Sequence, residues 1–126
     1  MTARILLVDD EKAVLFAYKK ILQRINVQID VAETKDESYA LLALNRYDAA
    51  ILDLNLGEFS QYDGLAILQH IKKAHPMTSV IMVTGHGSDD VRERAYQIGV
   101  DHYFEKPIST IRLREALVDS GVLSPV

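Results

Sequence analysis

Short apolar runs alternate along the chain with longer segments in which apolar residues recur every three or four positions. The short runs predict strands, and the longer segments predict amphipathic helices. The strands are expected at residues 4–9, 28–32, 48–53, 79–84 and 102–105. The helices are expected at residues 11–25, 34–45, 63–75, 88–98 and 109–119. The pattern therefore predicts consecutive strand–helix units along the whole chain.

The first two helices carry clear local signals. In the first, apolar side chains share one face of the predicted helix, and polar side chains occupy the rest. That apolar face comprises Val14, Tyr18, Ile21, Leu22 and Ile25. The second helix opens at Thr34 and carries Glu37 three positions later, which is the spacing of a capping box.

Two of the predicted strands, "AAILDL" and "VIMVTG", are almost entirely apolar. Strands of this kind lie inside parallel sheets that helices cover on both faces. Because crossovers between parallel strands are right-handed, the units predict an α/β fold with a doubly wound parallel sheet. The chain has no internal repeat and no low-complexity linker, so we expect one domain over residues 1–121 and a short tail at 122–126.

Composition narrows the classes of function. A chain of 126 residues with 48% hydrophobic and 25% charged residues fits one globular domain. Its apolar stretches are far shorter than the roughly 20 residues of a membrane span, and Arg4 lies too near the first apolar run for a secretory signal. We therefore expect a cytoplasmic protein. A net charge of −4 argues against direct binding of nucleic acid.

The composition also limits which residues could act as metal ligands. The chain has no cysteine, which leaves oxygen and histidine as ligands. Its four histidines show neither HxxH nor HExxH spacing, so the sequence does not predict a zinc site.

Two adjacent carboxylates, Asp9 and Asp10, follow the first predicted strand in "ILLVDDEKAV". Two such charges about 5 Å apart repel by roughly 3 kcal/mol at an effective dielectric constant of about 20. A bound cation would offset this repulsion. Alternatively, the pair caps the following helix by accepting backbone N–H groups. The residues alone leave both interpretations open.

Three further polar residues stand at the carboxyl ends of predicted strands: Asp53, Thr84 and Lys106. Taken singly, each has an ordinary explanation as a turn cap, a β-branched strand residue or a solvated lysine. In a parallel sheet, however, the carboxyl ends of the strands lie at one edge, where ligands commonly bind. We therefore expect these residues to converge with Asp9 and Asp10 in one crevice.

The motifs "ILLVDDE", "AAILDLNL", "DGLAIL", "VIMVTGHG" and "YFEKP", in this order, resemble the receiver domain of bacterial two-component response regulators. The resemblance covers essentially the whole chain. It implies a flavodoxin-like sheet with strand order 2-1-3-4-5. It also implies a phosphorelay, in which a sensor histidine kinase or a histidine phosphotransfer protein donates a phosphoryl group. An output domain or a downstream protein would respond, and phosphorylation would allow a homodimer.

The resemblance assigns roles at the acidic crevice. It makes Asp53 the phosphoacceptor. It makes Asp10, Asp53 and the backbone carbonyl of Asn55 ligands of Mg²⁺ or Mn²⁺, with Asp9 acting through a bound water. Oxygen ligands of this kind suit Mg²⁺. Asn55 also stands where the family tunes the rate of dephosphorylation.

The resemblance also implies a catalytic cation and a switch. Lys106 and Thr84 would neutralise charge on the transferred group, and the peptide bond before Pro107 would be cis. Phosphorylation would draw the Thr84 hydroxyl inward and admit the Tyr103 ring, which changes the surface of the fourth helix, fifth strand and fifth helix. Alternatively, Tyr103 is a fixed, half-buried strand aromatic. His86 either tunes the rate of dephosphorylation or is a solvated loop histidine.

The loop at 54–63 departs from the family pattern. It is longer than usual, and Gly57 stands where proline is common. Phe59 and Tyr62 add two aromatic residues beside the crevice. These residues either contact a kinase or fold over the third helix.

Three other functions compete with this interpretation. A magnesium-dependent aspartyl-phosphate phosphatase of the haloacid-dehalogenase kind would carry a D-x-D pattern after the first strand, which "DDE" does not match. Dinucleotide binding would need G-x-G-x-x-G at that point. A pseudo-receiver that binds partners without phosphorylation would lack some of the site residues. All five are present in this chain: Asp9, Asp10, Asp53, Thr84 and Lys106.

Overall fold

The computed structural model describes residues 2–23, 26–57 and 62–125. Within these ranges five strands alternate with five helices. The strands are β1 (Ala3–Val8), β2 (Val27–Ala32), β3 (Ala49–Leu52), β4 (Ser79–Thr84) and β5 (His102–Glu105). The helices are α1 (Lys12–Leu22), α2 (Lys35–Leu44), α3 (Asp63–Ala74), α4 (Asp89–Ile98) and α5 (Thr110–Asp119). None of the helices in the described ranges has the length and hydropathy needed to cross a membrane.

The strands form one parallel sheet in the order β2-β1-β3-β4-β5, which confirms the predicted fold class and strand order. The register pairs Val8 with Leu52, Leu52 with Met82, and Thr84 with Glu105. Four strands therefore finish nearly level with one another. The residues that follow them are brought to one edge of the sheet.

Alternate residues of the central strands feed two separate cores. In β1, Leu6 and Val8 belong to a core that also contains side chains of α2, α3 and α4. Ile5 and Leu7 point to the other face, where α1 and α5 cover them. Because side chains alternate between the faces of a strand, a sheet covered on both sides needs apolar residues at every position. This requirement explains the continuous apolar runs in the sequence.

The first helix is shorter than its apolar pattern predicts. It ends at Leu22, and Gln23 already has an extended backbone with ψ of 118°. The chain must leave the helix here to enter β2 at Val27. Of the predicted apolar face, Tyr18 and Leu22 are buried, and Ile25 lies outside the described residues.

The predicted capping box of the second helix is present with one change of partner. The Thr34 hydroxyl accepts a hydrogen bond from the Glu37 N–H at 3.1 Å. The Glu37 carboxylate accepts one from the N–H of Glu33, rather than of Thr34, at 2.7 Å. Ser88 and Ser109 cap α4 and α5 in the same way as Thr34. These caps satisfy N–H groups that have no partner inside a helix.

The chain remains packed beyond α5. Leu123 is buried in the core beneath α1 and α5, and Val122 packs partly against the same core. The N–H groups of both residues donate to the Leu117 carbonyl, at 2.9 Å from Val122 and 3.3 Å from Leu123. The packed unit thus includes these two residues.

Candidate functional site

Asp9, Asp53, Thr84 and Lys106 meet at the carboxyl edge of the sheet, as the alternating pattern predicts. Backbone hydrogen bonds extend the sheet by one residue at three of these positions. The N–H of Asp9 donates to the Ala32 carbonyl at 3.1 Å. The N–H of Asp53 donates to the Val8 carbonyl at 2.9 Å, and the N–H of Lys106 donates to the Thr84 carbonyl at 3.0 Å. The sheet itself therefore fixes where these side chains begin.

The Lys106 ammonium donates hydrogen bonds to two of the acidic side chains. Its Nζ atom lies 2.8 Å from Asp9 Oδ2 and 3.3 Å from Asp53 Oδ2. Glu11 Oε1 lies 3.7 Å from the same nitrogen, but its side chain is 63% exposed. Burial lowers the pKa of Lys106, but the hydrogen bond to Asp9 and the charge of Asp53 outweigh it and raise the pKa above its ordinary value. The lysine is therefore a fixed cation at neutral pH.

Asp53 is a buried carboxylate with two different oxygens. Oδ2 accepts from Lys106, whereas Oδ1 is buried without a hydrogen-bond partner among the described residues. Burial raises the pKa of Asp53, the Lys106 charge lowers it, and the Asp9 charge raises it, with a net upward shift. An unpaired buried oxygen costs free energy unless a ligand or a cation satisfies it. The Oδ1 atom of Asp53 can therefore accept a hydrogen bond from a ligand or bind a cation.

Asp9, Asp10 and Asp53 form an acidic cluster. Each offers one carboxylate oxygen, and these oxygens lie within 4.8 Å of one another. Asp9 and Asp53 are buried, whereas Asp10 is exposed at the rim. Hard carboxylate oxygens around a partly open position suit Mg²⁺ or Mn²⁺, which keep some of their waters. The donor set and the unpaired Asp53 oxygen fit such a cation.

The two oxygens of Asp9 have different partners. Its Oδ1 accepts a hydrogen bond from the Glu11 N–H at 3.0 Å, while its Oδ2 binds Lys106. Glu11 is the residue that precedes the first turn of α1, and its own side chain makes no capping bond. One carboxylate oxygen of Asp9 therefore stabilises the start of α1, and the other contacts Lys106 in the crevice.

Asn55 follows Asp53 by two residues and fixes the far end of the long loop. Its side-chain oxygen accepts a hydrogen bond from the Tyr62 N–H at 2.9 Å. Tyr62 is 44% exposed and has φ of 64°. Gly57 also has a positive φ, of 115°, which proline cannot adopt. Phe59 lies outside the described residues.

The Thr84 and Tyr103 side chains pack beneath the loop that joins β4 to α4. Thr84 is fully buried, and its hydroxyl accepts a hydrogen bond from the His86 N–H at 3.1 Å. The Tyr103 hydroxyl is buried without a partner within the described ranges. Burial raises the pKa of Tyr103, and the Glu105 charge adds to that shift. The His86 side chain is exposed, and the peptide bond between Lys106 and Pro107 is cis.

Two residues near the crevice are not predicted by the sequence patterns. Glu11 places a third carboxylate near Lys106, and its position beside Asp10 in "DDE" was the available signal. Gly64 lets the first turn of α3 touch the chain after Asp53, because a Cβ atom there would lie 2.2 Å from the Asp53 carbonyl oxygen. The sequence gives no sign of that approach beyond the glycine itself.

Comparisons with known proteins indicate which family this chain resembles. The family model of the response regulator receiver domain matches residues 5–118. The alginate biosynthesis transcriptional regulatory protein AlgB of Pseudomonas aeruginosa is 36% identical over 113 residues, which are 90% of this chain and 24% of AlgB. The transcriptional regulatory protein SrrA of Staphylococcus aureus is 34% identical over 109 residues, which are 86% of this chain and 44% of SrrA.

A solved structure shows the same likeness. The crystal structure of a CheY-like response regulator receiver domain protein from Methanospirillum hungatei has a TM-score of 0.86 and 29% sequence identity. The match covers 94% of this chain and 93% of that chain. The chain thus spans nearly all of this structural relative, but less than half the length of the two curated relatives.

Proposed function

Because the chain belongs to the response regulator receiver domain family, we propose that it accepts a phosphoryl group on Asp53 in the cytoplasm. The donor is a phosphohistidine of a sensor kinase or of a histidine phosphotransfer protein. One observation carries the choice of Asp53. One of its oxygens contacts the Lys106 ammonium, and the other is buried without a partner in the described part of the chain.

The chain's own groups support an in-line transfer. A carboxylate oxygen of Asp53 attacks the phosphorus as the phosphorus–nitrogen bond to the donor histidine breaks, and the histidine nitrogen keeps the electron pair. Lys106 remains protonated and neutralises charge on the transferred oxygens. In this proposal the Thr84 hydroxyl donates a hydrogen bond to one of those oxygens. Burial at this edge strengthens both interactions because it excludes water.

A divalent cation completes the proposed site. Asp10, Asp53 and the Asn55 backbone carbonyl would hold Mg²⁺ or Mn²⁺, with Asp9 acting through a water. When bound, the cation would neutralise the acidic cluster and the incoming phosphoryl oxygens. The clustering of the three carboxylates within 4.8 Å supports this assignment. The exposed His86 and the loop-bound Asn55 are proposed to tune the rate of dephosphorylation.

The proposed response runs through Thr84 and Tyr103 to the surface of α4, β5 and α5. Thr84 lies at the end of β4, and Tyr103 lies on the adjacent strand β5. An output domain or a separate partner, or a second copy in a phosphorylated homodimer, would read that surface. The much greater length of AlgB and SrrA supports an attached output domain. The net charge of −4 supports the proposal that any binding of nucleic acid is done by the output domain and not by this domain.

Intact-mass spectrometry with acetyl phosphate and Mg²⁺ tests the proposal. The wild-type chain should gain one phosphoryl group, and Asp53→Asn should gain none. Asp36→Asn is the matched control, because Asp36 is an exposed carboxylate in α2. Full labelling of Asp53→Asn would place the nucleophile elsewhere. A wild-type chain that a cognate kinase also fails to label would instead be a pseudo-receiver.

A further inference from the structure

The loop between β4 and α4 approaches the Tyr103 hydroxyl closely at the backbone of Gly87. A Cβ atom added at Gly87 would lie 1.8 Å from the hydroxyl oxygen, 3.1 Å from the Tyr103 Cζ atom and 3.2 Å from the Thr84 methyl group. Real Cβ atoms do not approach other heavy atoms to 1.8 Å. The Tyr103 ring in its buried position therefore occupies the space that any side chain at residue 87 would need.

The backbone conformation does not explain this glycine. The positive-φ glycines of the described ranges are Gly57, Gly99 and Gly121, and Gly87 is not among them. Alanine would therefore fit the φ angle of residue 87 without strain. Residue 87 must lack a Cβ atom because, in the described part of the chain, the Tyr103 hydroxyl occupies the position of that atom.

The loop is held on both sides of Gly87. Before it, the His86 N–H donates to the Thr84 hydroxyl at 3.1 Å. After it, the Ser88 hydroxyl accepts from the Val91 N–H at 3.3 Å and caps α4. These two bonds restrain the loop against the shift that a side chain at residue 87 would require. The far end of the tyrosine, which rotates about two side-chain bonds, is the part that can move.

We propose that the bare Cα atom of Gly87 permits the buried position of Tyr103, so that Gly87 sets the balance between the inward and outward ring. This inference rests on the proposed switch through Thr84 and Tyr103 and adds a residue that controls it. A receiver with a larger residue at 87 would keep its phosphoacceptor chemistry, because the three nearest atoms include none of an acidic residue or Lys106 and only the methyl group of Thr84, not its hydroxyl. It would lose the inward ring.

Nitration by tetranitromethane, mapped by peptide mass spectrometry, tests the inference without any phosphorylation. Tyr62 and Tyr96, 44% and 45% exposed, report full reactivity, and the buried Tyr47 reports protection. Gly87→Ala should raise the nitration rate of Tyr103 by about tenfold, the size of shift expected from overpacking a buried site. Gly85→Ala is the matched control, because its Cβ would lie 3.9 Å from the nearest atom. It should leave Tyr103 protected.

A double variant separates the hydroxyl from the ring. In Gly87→Ala combined with Tyr103→Phe, the oxygen that collides is absent and the nearest ring carbon lies 3.1 Å from the new methyl group, which a small shift relieves. A nuclear Overhauser contact between the phenyl ring introduced at position 103 and the Thr84 methyl group should therefore persist. Its absence would overturn the assignment of the collision to the hydroxyl.

The outcomes distinguish this inference from the proposed function. Protection of Tyr103 in a folded Gly87→Ala protein would overturn the inference, as would equal exposure in Gly85→Ala. Failure of the wild-type chain to accept a phosphoryl group would overturn the proposed function while the nitration result still stood. With beryllofluoride as the phosphoryl mimic, Gly87→Ala should bind as the wild type does, but with smaller amide shifts in α4 and α5.

Discussion

The Nζ atom of Lys106 lies 2.8 Å from Oδ2 of Asp9, although 97 positions of sequence separate the two residues. The contact depends on β1 and β5 lying in one parallel sheet, with β3 and β4 between them. It makes a single ammonium group the shared counter-charge of two buried carboxylates, Asp9 and Asp53. Substitutions at this edge therefore affect the folded state as well as the chemistry.

Asp9 and Asp10 should respond differently to alanine substitution. Asp9→Ala removes bonds to Glu11 N–H and Lys106, so urea denaturation should show a loss of about 1–2 kcal/mol. Asp10 is exposed, so Asp10→Ala should change stability by less than about 0.5 kcal/mol. Titration with Mg²⁺ should show the opposite order, because Asp10 is the proposed direct ligand. Equal Mg²⁺ affinity in the wild type and the double alanine variant would contradict a metal site.

Thr84→Ala should separate phosphorylation from the response to it. The variant keeps Asp53 and Lys106, so acetyl phosphate should still label it. It loses the hydroxyl that gains a phosphoryl oxygen in only one of the two states, and a ligand shifts an equilibrium only through such differences. A full shift requires roughly 3–5 kcal/mol of differential binding, to which this hydroxyl contributes. Amide NMR of residues 88–119 should show smaller shifts with beryllofluoride than in the wild type.

Identical large shifts in both proteins would show that the coupling does not pass through Thr84. Thr84→Ser is the matched control, because it keeps the hydroxyl and removes only the methyl group. It should respond nearly as the wild type does.

Tyr18 makes the folded state sensitive to alkaline pH. Burial, together with the Asp9 and Asp53 charges, raises its pKa to about 12, although the Lys106 charge lowers it. Below the ordinary tyrosine pKa of 10.0, the phenol is neutral in both states and its stabilising effect is complete. Between pH 10 and 12 the unfolded chain ionises first, so about 2 kcal/mol should be lost. Urea denaturation at pH 8.5 and pH 11 should show a smaller loss in Tyr18→Phe than in the wild type.

The apolar patterns predict a parallel sheet and the meeting of Asp9, Asp53, Thr84 and Lys106 at its carboxyl edge, whereas the order of the strands is implied only by the family resemblance. Continuous apolar runs identify buried parallel strands, and parallel strands must present their carboxyl ends at one edge. The apolar spacing predicts a first helix that continues to Ile25, whereas α1 ends at Leu22 and Gln23 has an extended backbone.

The contacts made by glycines could not be predicted in the same way. Gly64 and Gly87 are required by the close approach of an atom distant in sequence, the Asp53 carbonyl oxygen in one case and the Tyr103 hydroxyl in the other. Hydrophobic patterns report which face of an element is buried. They do not report where two pieces of backbone or side chain come within van der Waals distance.

The forked bonding of Asp9 gives the crevice a built-in spectroscopic reporter. Its Oδ1 accepts from the Glu11 N–H while its Oδ2 faces Lys106, so the two bonds share one carboxylate. A cation that binds in the crevice and draws electron density toward Oδ2 would weaken the acceptor at Oδ1. The chemical shift of the Glu11 amide proton should therefore change when a cation binds, without any movement in α4 or α5.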